Sequence, residues 1–386
     1  MMQGFEYVNP TRLIFGKGVV RRIGEVTKPY GQRVLLALGR ASARASGLFE
    51  TVVGLLREQG LEVFEIDGIL PNPRLSACYK GIEICRTRNI EAIVSLGGGS
   101  VLDTAKTIAV GAVDEGDVWD FFEKKRVIRG ALPVVSIVTV AATGSEFNRI
   151  TVIKNEKLHK KIGLWNEHLF PKVSLADPEL TYSVSATQTA YGGMDIISHV
   201  LERYLNGNPA PLIQLRFKEA LMRTVMESVD KAQVDPLDYE ARSYLLWASS
   251  LSCSGIFDMG VETSDIPAHI IDTEAGGLSD HAHGAGLAVF LPAVMRFYAR
   301  RNLRTTVRFA EQVMGVERSG RMSDFDVALS GIEAFRDWLR KIGCPTTIRE
   351  LGIDRKDFEE IARRVAENAE GPNAEDTLGI LNTYYE

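Results

Sequence analysis

Residues 92–100, AIVSLGGGS, decide the fold of the first half of the chain. A short apolar run such as 92–96 is typical of a strand buried in a parallel sheet, and the glycines after it permit a tight turn. The stretch 101–110 then has the apolar pattern of a helix. Strand, glycine turn and helix follow one another directly, which predicts one strand–helix unit of an α/β sheet.

The same alternation continues on both sides of this unit. Further strands are predicted at 33–38, 61–66 and 133–138, with helices at 48–59 and from about residue 75 onward. Alternation of this kind indicates a doubly wound parallel sheet with helices on both faces.

After Asp177-Pro178 the character of the chain changes. Long helical patterns such as 186–205 and 213–232 replace the strands, and β-rich runs become few. We therefore predict an α/β domain over residues 1–180 and an all-helical domain over residues 181–386. A chain of 386 residues has the length expected for two such domains.

Composition and charge argue against several classes of protein. The net charge of −5 provides no basic footprint for nucleic acid. No window reaches the roughly 18 apolar residues that a membrane span needs, and the N-terminus lacks the pattern of a signal peptide. The four cysteines form no C-x-x-C pair and suit reduced thiols. We expect a cytoplasmic protein without nucleic-acid or membrane partners.

The glycine turn at 97–100 has the features of a phosphate-binding site. Glycines let the backbone approach a ligand, and the N-terminus of the following helix offers free N–H groups and a positive dipole end. Asp103 and Lys106 lie in the first two turns of that helix. A glycine turn without a ligand is the alternative, because the G-x-G-x-x-G fingerprint is absent from this site.

The end of the predicted strand 33–38 bears on the choice of dinucleotide. Gly39 is followed by Arg40, Ser42 and Arg44, and no Asp or Glu occurs between residues 31 and 48. An acidic residue at such a position binds the ribose 2′-hydroxyl of NAD, whereas arginine accommodates the 2′-phosphate of NADP. The pattern favours NADP over NAD, with exposed surface arginines as the alternative.

Two potential metal ligands share one face of the predicted helix 186–205, which Ser185 and Gln188 are spaced to cap. Asp195 and His199 lie four residues apart among apolar neighbours, where a bare charge needs a partner. For this pair alone, a hydrogen bond on a helix surface is the better explanation of the spacing.

Two further histidines shift the interpretation toward a metal. His269 and His283 are among only six histidines in the chain, and His283 is followed by small residues that permit close helix approach. One aspartate and three histidines offer oxygen and nitrogen ligands without a thiolate. Such a set suits Fe²⁺, Zn²⁺ or Mn²⁺ and does not choose among them.

These residues resemble the signatures of the iron-containing (group III) alcohol dehydrogenases. The stretch 97–106, GGGSVLDTAK, matches the family's G-G-G-S-x-x-D-x-A-K pattern. Other stretches match in the family's order: Phe15-Gly16, Pro71-Asn72-Pro73, Asp117-Val118-Trp119-Asp120, Thr143-Gly144-Ser145-Glu146, Tyr191-Gly192-Gly193-Met194-Asp195 with His199, and His283-Gly284. The similarity extends from about residue 5 to at least residue 345. The butanol dehydrogenase branch is most alike, because its early strand ends in a G-x-x-S turn like that of 39–42.

The resemblance implies a Rossmann-like dinucleotide-binding domain, a helical metal-binding domain of the dehydroquinate synthase-like fold, and a cleft between them. It implies four metal ligands: Asp195, His199, His269 and His283. The family's cofactor contacts correspond to Gly39, Ser42, Asn72, Gly98, Gly99, Ser100, Asp103, Thr139, Thr143 and Lys161. The branch is associated with NADP(H) or NAD(H) and with primary alcohols and aldehydes. We expect Fe²⁺ or Zn²⁺ as the metal, NADP in preference to NAD, and a homodimer.

Two departures from the family pattern concern the catalytic site. The family usually has a second histidine four residues after the third ligand, and this chain has Thr273 there. His281 lies two residues before His283. It is either unrelated to the metal, or in contact with a metal ligand, or itself the fourth ligand. We favour His283 as the ligand, because the glycine after it matches the family. Thr273 or His281 could replace the absent histidine in proton exchange.

The predicted reaction is hydride transfer between a nicotinamide and the carbinol carbon of a small primary alcohol, with the metal as Lewis acid. Phe147, Asn148 and Trp165 are candidates for lining the substrate site, with ordinary packing as the alternative for the aromatic residues. Three alternative functions stay open. They are a polyol (glycerol-type) dehydrogenase, a synthase of the dehydroquinate type, and a cofactor-binding protein with catalysis impaired by Thr273.

Overall fold

The structure is a computed structural model that describes residues 2–205, 211–261, 266–368 and 371–386. The chain divides into two compact units. The α/β unit comprises Val8–Val184 and Ser249–Ser254, and the helical unit comprises the described residues of Met1–Tyr7, Ser185–Ala248 and Gly255–Glu386.

Among the described residues, six strands form one parallel sheet and two form an antiparallel hairpin. The strands in chain order are β1 (Arg12–Phe15), β2 (Arg33–Gly39), β3 (Glu62–Ile69), β4 (Ala92–Gly97), β5 (Val134–Val138), β6 (Ile150–Asn155), β7 (Lys160–Trp165) and β8 (Val173–Ala176). The order across the sheet is β1-β8-β5-β4-β2-β3, and β6 pairs with β7. The carboxyl ends of the parallel strands therefore share one edge of the sheet.

Helices cover both faces of this sheet. Those of the α/β unit are α1 (Ile23–Thr27), α2 (Ser42–Ala45), α3 (Leu48–Glu58), α4 (Leu75–Thr87), α5 (Gly99–Ala112) and α6 (Trp119–Phe122). Alternate residues of β4 enter opposite cores: Ile93 packs in the cluster that contains Ile108 of α5, and Val94 in the cluster that contains Leu56 of α3. Burial on both faces explains why β4 is mostly apolar and does not alternate between apolar and polar residues. The predicted doubly wound sheet is confirmed.

The helical unit contains no strand among its described residues. Its helices are α7 (Ala186–Leu205), α8 (Leu212–Val234), α9 (Tyr239–Ser252), α10 (Pro267–Leu278), α11 (His283–Phe297), α12 (Leu303–Gln312), α13 (Asp324–Lys341), α14 (Phe358–Glu367) and α15 (Ala374–Thr383). The hydroxyl of Ser185 accepts the N–H of Gln188 at 3.2 Å, so the predicted cap is present at the start of α7. No described helix is both long and apolar enough to cross a membrane.

The two units are not continuous in sequence, unlike the ranges predicted for the domains. Ser249–Ser254, which includes the end of α9, belongs to the α/β unit. The Ser249 hydroxyl accepts the backbone N–H groups of Ala142 (3.0 Å) and Gly144 (3.2 Å), which holds this segment there. The N-terminal residues belong to the helical unit, where the N–H of Gln3 donates to the carbonyl of Gly260 at 3.1 Å. Local sequence patterns do not show that a short segment belongs to the other unit.

Candidate metal centre and dinucleotide site

The four predicted metal ligands converge in the helical unit. Asp195 and His199 lie one turn apart in α7, His269 lies in the first turn of α10, and His283 begins α11. The Nε2 atoms of His199 and His283 lie 3.6 and 3.5 Å from Oδ1 of Asp195. The His269 ring lies 5.3 Å from that of His199 and 5.4 Å from that of His283, between ring centroids. Ligand atoms of Asp195, His199 and His269 all lie within 4.8 Å of one another.

The donor atoms of this cluster fit a divalent metal. Oδ1 of Asp195 and Nε2 of His269 are buried and have no hydrogen-bond partner in the part of the chain that the structure describes. Buried polar atoms are rarely left unpaired, because each one costs about 1–3 kcal/mol. Burial also lowers the pKa of His199 to about 3, so its ring is neutral at pH 7. A neutral ring can bind a metal without first losing a proton. The cluster has the residue types of a metal site and two buried ligand atoms without a hydrogen-bond partner among the described residues.

Glu202 orients the third histidine from behind. It lies on α7, and its buried carboxylate contacts Nδ1 of His269 and accepts the N–H of Ala268 at 2.6 Å. With Nδ1 engaged in this way, Nε2 of His269 is directed at the cluster. Sequence reasoning missed Glu202, although its spacing of three from His199 and seven from Asp195 puts it on the same helix face.

Asp272 has the corresponding place behind the fourth histidine. Its fully buried carboxylate contacts Nδ1 of His283 at 2.5 Å and Nε2 of His281 at 2.8 Å. Of the two competing histidines, His283 therefore presents its Nε2 to Asp195, whereas His281 presents its own to Asp272. Thr273 is half-buried in α10, one turn after His269. Asp272 was not predicted either, although it lies three residues after His269.

The glycine turn lies at the edge where β4 and β5 end. Gly97 closes β4, Gly99 begins α5, and the N–H of Thr139 just beyond β5 donates to the carbonyl of Gly97 at 3.1 Å. A Cβ on Gly99 would lie 2.4 Å from Oγ1 of Thr143, and one on Gly98 would lie 3.3 Å from Cβ of Val140. The structure thus brings together four of the predicted cofactor contacts, which are Gly98, Gly99, Thr139 and Thr143. Ser100 lies in the first turn of α5 beside them.

The other predicted cofactor contacts lie at two further places in the α/β unit. Gly39 ends β2, which pairs with β4, and Ser42 begins the short α2. Asn72 has a positive φ of 53°, and its Oδ1 lies 3.4 Å from Nζ of the buried Lys161 in β7. The pairing of Asn72 with Lys161 joins the segment before α4 to the hairpin.

Asp103 is engaged inside the protein. Its Oδ1 accepts the hydroxyl of Ser145 at 2.7 Å, and its Oδ2 accepts the N–H of Val152 in β6 at 2.9 Å. Both carboxylate oxygens therefore hold the segment after β5 against α5. The role of Asp103 as a cofactor contact stays a prediction, and the geometry gives it a structural task besides.

Lys106 holds the same segment from the next turn of α5. Its fully buried Nζ donates to the carbonyl oxygens of Ser145 (2.7 Å) and Ile150 (2.8 Å), and to both the carbonyl (3.0 Å) and Oδ1 (3.2 Å) of Asn148. Four oxygens around one ammonium account for a buried lysine in the middle of an apolar helix.

Arg44 is paired with acidic residues of the neighbouring strand. It lies 2.7 Å from Glu65 and 3.5 Å from Asp67, both in β3, and its guanidinium stacks 3.8 Å from the centroid of the Phe49 ring. Residues 31–48 alone do not reveal this pairing, because the carboxylates come from the next strand along the chain. The argument for NADP from Arg44 is correspondingly weaker.

The candidate substrate-lining residues are differently placed. Asn148 is buried and bridges its own loop, with its amide donating to Gly144 and its Oδ1 accepting from Ile150. Trp165 ends β7 with 57% of its surface exposed. The carbonyl of Phe147 accepts from the side chain of Asn9 at 2.9 Å.

Comparison with known proteins gives nearly complete coverage of the chain. The family described as "Iron-containing alcohol dehydrogenase" matches residues 10–178, and "Fe-containing alcohol dehydrogenase family, C-terminal" matches residues 189–380. The NADH-dependent butanol dehydrogenase A of Clostridium acetobutylicum is 35% identical over 100% of both chains. The probable NADH-dependent butanol dehydrogenase 1 of Bacillus subtilis is 38% identical, covering 98% of this chain and 99% of its own.

Two further similarities extend this comparison. The NADPH-dependent aldehyde reductase YqhD of Escherichia coli is 29% identical over 100% of this chain and 99% of its own. A crystal structure of NADH-dependent butanol dehydrogenase A from Thermotoga maritima superposes with a TM-score of 0.95 at 36% identity, covering 100% of this chain and 99% of the other. The resemblance predicted from the motifs is confirmed, and the chain belongs to the iron-containing alcohol dehydrogenase family.

Proposed function

We propose that this enzyme is a metal-dependent, NAD(P)(H)-dependent alcohol dehydrogenase and aldehyde reductase that acts on small primary alcohols and aldehydes. The observation that carries the proposal is the cluster of Asp195 with three histidines, in which Oδ1 of Asp195 and Nε2 of His269 are buried without a hydrogen-bond partner among the described residues. The butanol dehydrogenases and the aldehyde reductase among its relatives support the substrate class.

In the proposed mechanism, Asp195, His199, His269 and His283 hold the metal. When bound, the metal supplies a Lewis acid that stabilises negative charge on the substrate oxygen. Glu202 and Asp272 keep the rings of His269 and His283 in their tautomer and orientation.

The α/β unit binds the dinucleotide through backbone groups. The N–H groups at the start of α5 would receive the pyrophosphate, and Gly98 and Gly99 let Val140 and Thr143 pack close to this turn. Lys161 and Asn72 are proposed contacts of the same cofactor. When bound, the nicotinamide would supply or accept the hydride that is exchanged with the carbinol carbon of the alcohol.

Proton exchange needs a group other than the family's usual histidine. Both ring nitrogens of His281 contact protein atoms, Oγ of Ser279 and Oδ1 of Asp272. We therefore propose that Thr273, which stands at the sequence position of that histidine, takes part in proton exchange in its place. Solvent water would be the proton source.

The preference for NADP over NAD is the finer part of the proposal. Arg40 and Ser42 at the end of β2 support it, whereas the pairing of Arg44 with Glu65 weakens it. Relatives of both kinds occur, since the butanol dehydrogenases use NADH and the aldehyde reductase uses NADPH. Comparing kcat/KM for NADPH and NADH in the wild-type enzyme decides between them.

Reduction of butanal by the metal-free protein reloaded with Fe²⁺ or Zn²⁺ tests the function. We expect turnover only after loading, and loss of both metal content and turnover in Asp195→Ala. The variant His168→Ala, which changes an exposed histidine outside the cluster, serves as the matched control. Tight cofactor binding with no turnover of any aldehyde would refute the enzymatic proposal, and turnover confined to glycerol would replace it by a polyol dehydrogenase.

We also propose that the chain is a cytoplasmic homodimer with an α/β cofactor domain and a helical metal domain. The net charge of −5 and the four free cysteines support a reducing compartment without nucleic-acid partners. Light scattering after size-exclusion chromatography measures the oligomeric state, and a monomeric mass would contradict the dimer.

A further inference from the structure

His281 is the feature of the sequence that the proposed function leaves without a task. It is the second of three residues in one continuous chain of contacts behind the metal cluster. Oγ of Ser279 lies 2.6 Å from Nδ1 of His281, and Nε2 of His281 lies 2.8 Å from Oδ1 of Asp272. Oδ2 of Asp272 then lies 2.5 Å from Nδ1 of His283.

The Asp272 carboxylate is shared between two imidazoles. It is fully buried, so neither oxygen is compensated by bulk water, and each one faces a ring nitrogen. A buried carboxylate that loses one such partner keeps an uncompensated oxygen, which favours rotation of the group toward another donor. Rotation would release Nδ1 of His283 from its fixed partner.

Gly286 of α11 leaves room for the contact between Asp272 and His281, because it has no side chain. A Cβ on Gly286 would lie 1.8 Å from Oδ1 of Asp272 and 2.5 Å from Nε2 of His281. Any side chain at Gly286 would therefore force the two groups apart. This is an independent sign that the contact between Asp272 and His281 is built into the packing of the helix.

We propose that His281 is a positioning residue for the metal: through Asp272 it sets the orientation of His283, so that metal affinity depends on a residue that does not touch the metal. The inference rests on the proposed metal site. His281 supplies the hydrogen-bond donor that keeps the Asp272 carboxylate in place, and Ser279 keeps the His281 ring from turning away. Groups behind metal ligands commonly act in this way.

The test uses the full-length metal-free protein and measures the dissociation constant of Zn²⁺ by competition with a chelator. His281→Leu keeps the bulk of the ring and removes its donor, and we expect Zn²⁺ binding to weaken by about 10- to 100-fold. His281→Gln places an amide N–H near the position of Nε2, and we expect it to recover most of the lost affinity. Gly286→Ala should weaken binding in the same direction as His281→Leu.

The absorption spectrum of the Co²⁺-loaded proteins gives a second measure. A changed ligand geometry at His283 should shift the visible bands of His281→Leu relative to wild type, and His281→Gln should restore them. If His281→Leu does not fold, Ser279→Ala and His281→Gln carry the same comparison, with a smaller loss of affinity expected for Ser279→Ala. Wild-type Zn²⁺ affinity and wild-type Co²⁺ bands in all foldable variants would overturn the inference.

Two controls separate this inference from neighbouring explanations. A lowered melting temperature of metal-free His281→Leu with unchanged Zn²⁺ affinity would show a merely structural role and refute the proposal. Asp195→Ala and His283→Ala, measured in parallel, test the metal site itself. If these two bind Zn²⁺ like wild type, the proposed ligand set fails; if only the His281 variants do, the ligand set stands and the positioning role fails.

Discussion

Gly284 of α11 lies directly against the backbone of Tyr191 in α7, where a Cβ atom would stand 2.2 Å from the Tyr191 carbonyl oxygen. The two helices therefore touch through their backbones, one residue after His283 and four residues before Asp195. The small residues after His283 predicted such an approach from the sequence, and this contact confirms it at Gly284. The short distance between the helices is what brings these two side chains together.

Substituting Gly284 by alanine should push α11 away from α7. Because the opposing atom belongs to the backbone, the contact cannot relax by rotating a side chain. We expect a loss of about 1–3 kcal/mol in the free energy of unfolding, measured by urea denaturation. Gly54→Ala is the matched control, since Gly54 lies inside α3 and a Cβ added there would meet no atom within 4 Å. It should be neutral or stabilising by up to about 1 kcal/mol; equal losses in both variants would contradict the packing argument.

Replacing Lys106 by methionine should destabilise the α/β unit. The change removes the ammonium donor from three carbonyl oxygens, those of Ser145, Asn148 and Ile150, while keeping a side chain of similar length. Oδ1 of Asn148 also loses it but keeps the N–H of Ile150. Leaving buried acceptors unpaired costs about 1–3 kcal/mol each, partly relieved by relaxation, so we expect a net loss of about 3 kcal/mol in urea unfolding. Lys157→Met, at an exposed lysine, is the control and should change stability by less than about 0.5 kcal/mol.

Glu202→Gln should weaken metal binding while largely preserving the start of α10. The glutamine oxygen can still accept the N–H of Ala268, but the negative charge beside Nδ1 of His269 is lost. We expect roughly a tenfold increase in the Zn²⁺ dissociation constant, measured by chelator competition. Glu227→Gln on the exposed side of α8 should leave this constant unchanged. Unaltered affinity in Glu202→Gln would show that the carboxylate does not tune His269.

Glu91 should contribute stability that depends on pH. Its carboxylate accepts the backbone N–H groups of Arg33 (2.9 Å) and Gln32 (2.7 Å), and these bonds hold the pKa of Glu91 below its usual value of 4.5. A lowered folded-state pKa means that the stabilisation is complete above the unfolded pKa and is lost as pH falls through the folded pKa.

Glu91→Gln should therefore be less stable than wild type at pH 7, and the difference should shrink as the pH is lowered below about 4.5. Urea unfolding of both proteins at pH 7, 5 and 4 measures it. Glu83→Gln, at an exposed glutamate of α4, is the control. A difference that stays constant with pH would mean that the charge of Glu91 is irrelevant to these bonds.

The elements that were predicted from the sequence are those with a clear apolar pattern. The strand at 92–96 and the helix at 101–110 appear as β4 and α5, because a central parallel strand is apolar on both faces. The helix 186–205 appears with the same bounds as α7, because its cap and its stripe agree. The short edge strand β1 and the hairpin of β6 and β7 were not predicted, since four residues or a half-polar ribbon carry too little pattern.

The candidate site was predictable to the extent that its residues lie close in sequence. Asp195 and His199 share a helix face, and the structure places them in one cluster with the other two predicted ligands. The spacing of Glu202 and Asp272 places them near the predicted ligands, but it does not reveal their roles, because their partners come from α10 and α11 through tertiary packing. In the same way, nothing near Asp103 in the sequence reveals that Ser145, far along the chain, occupies its carboxylate.

The proposed ligands come from three helices, α7, α10 and α11, and two of their buried donor atoms have no partner among the described residues. An ion at this point would act as a cross-link that exists only in the folded chain. Folding would then follow mass action, gaining about 1.4 kcal/mol for each tenfold rise in free metal above the dissociation constant. In a metal-starved cell the unloaded chain would open more often and be degraded sooner, so the amount of this protein would itself track the supply of the ion.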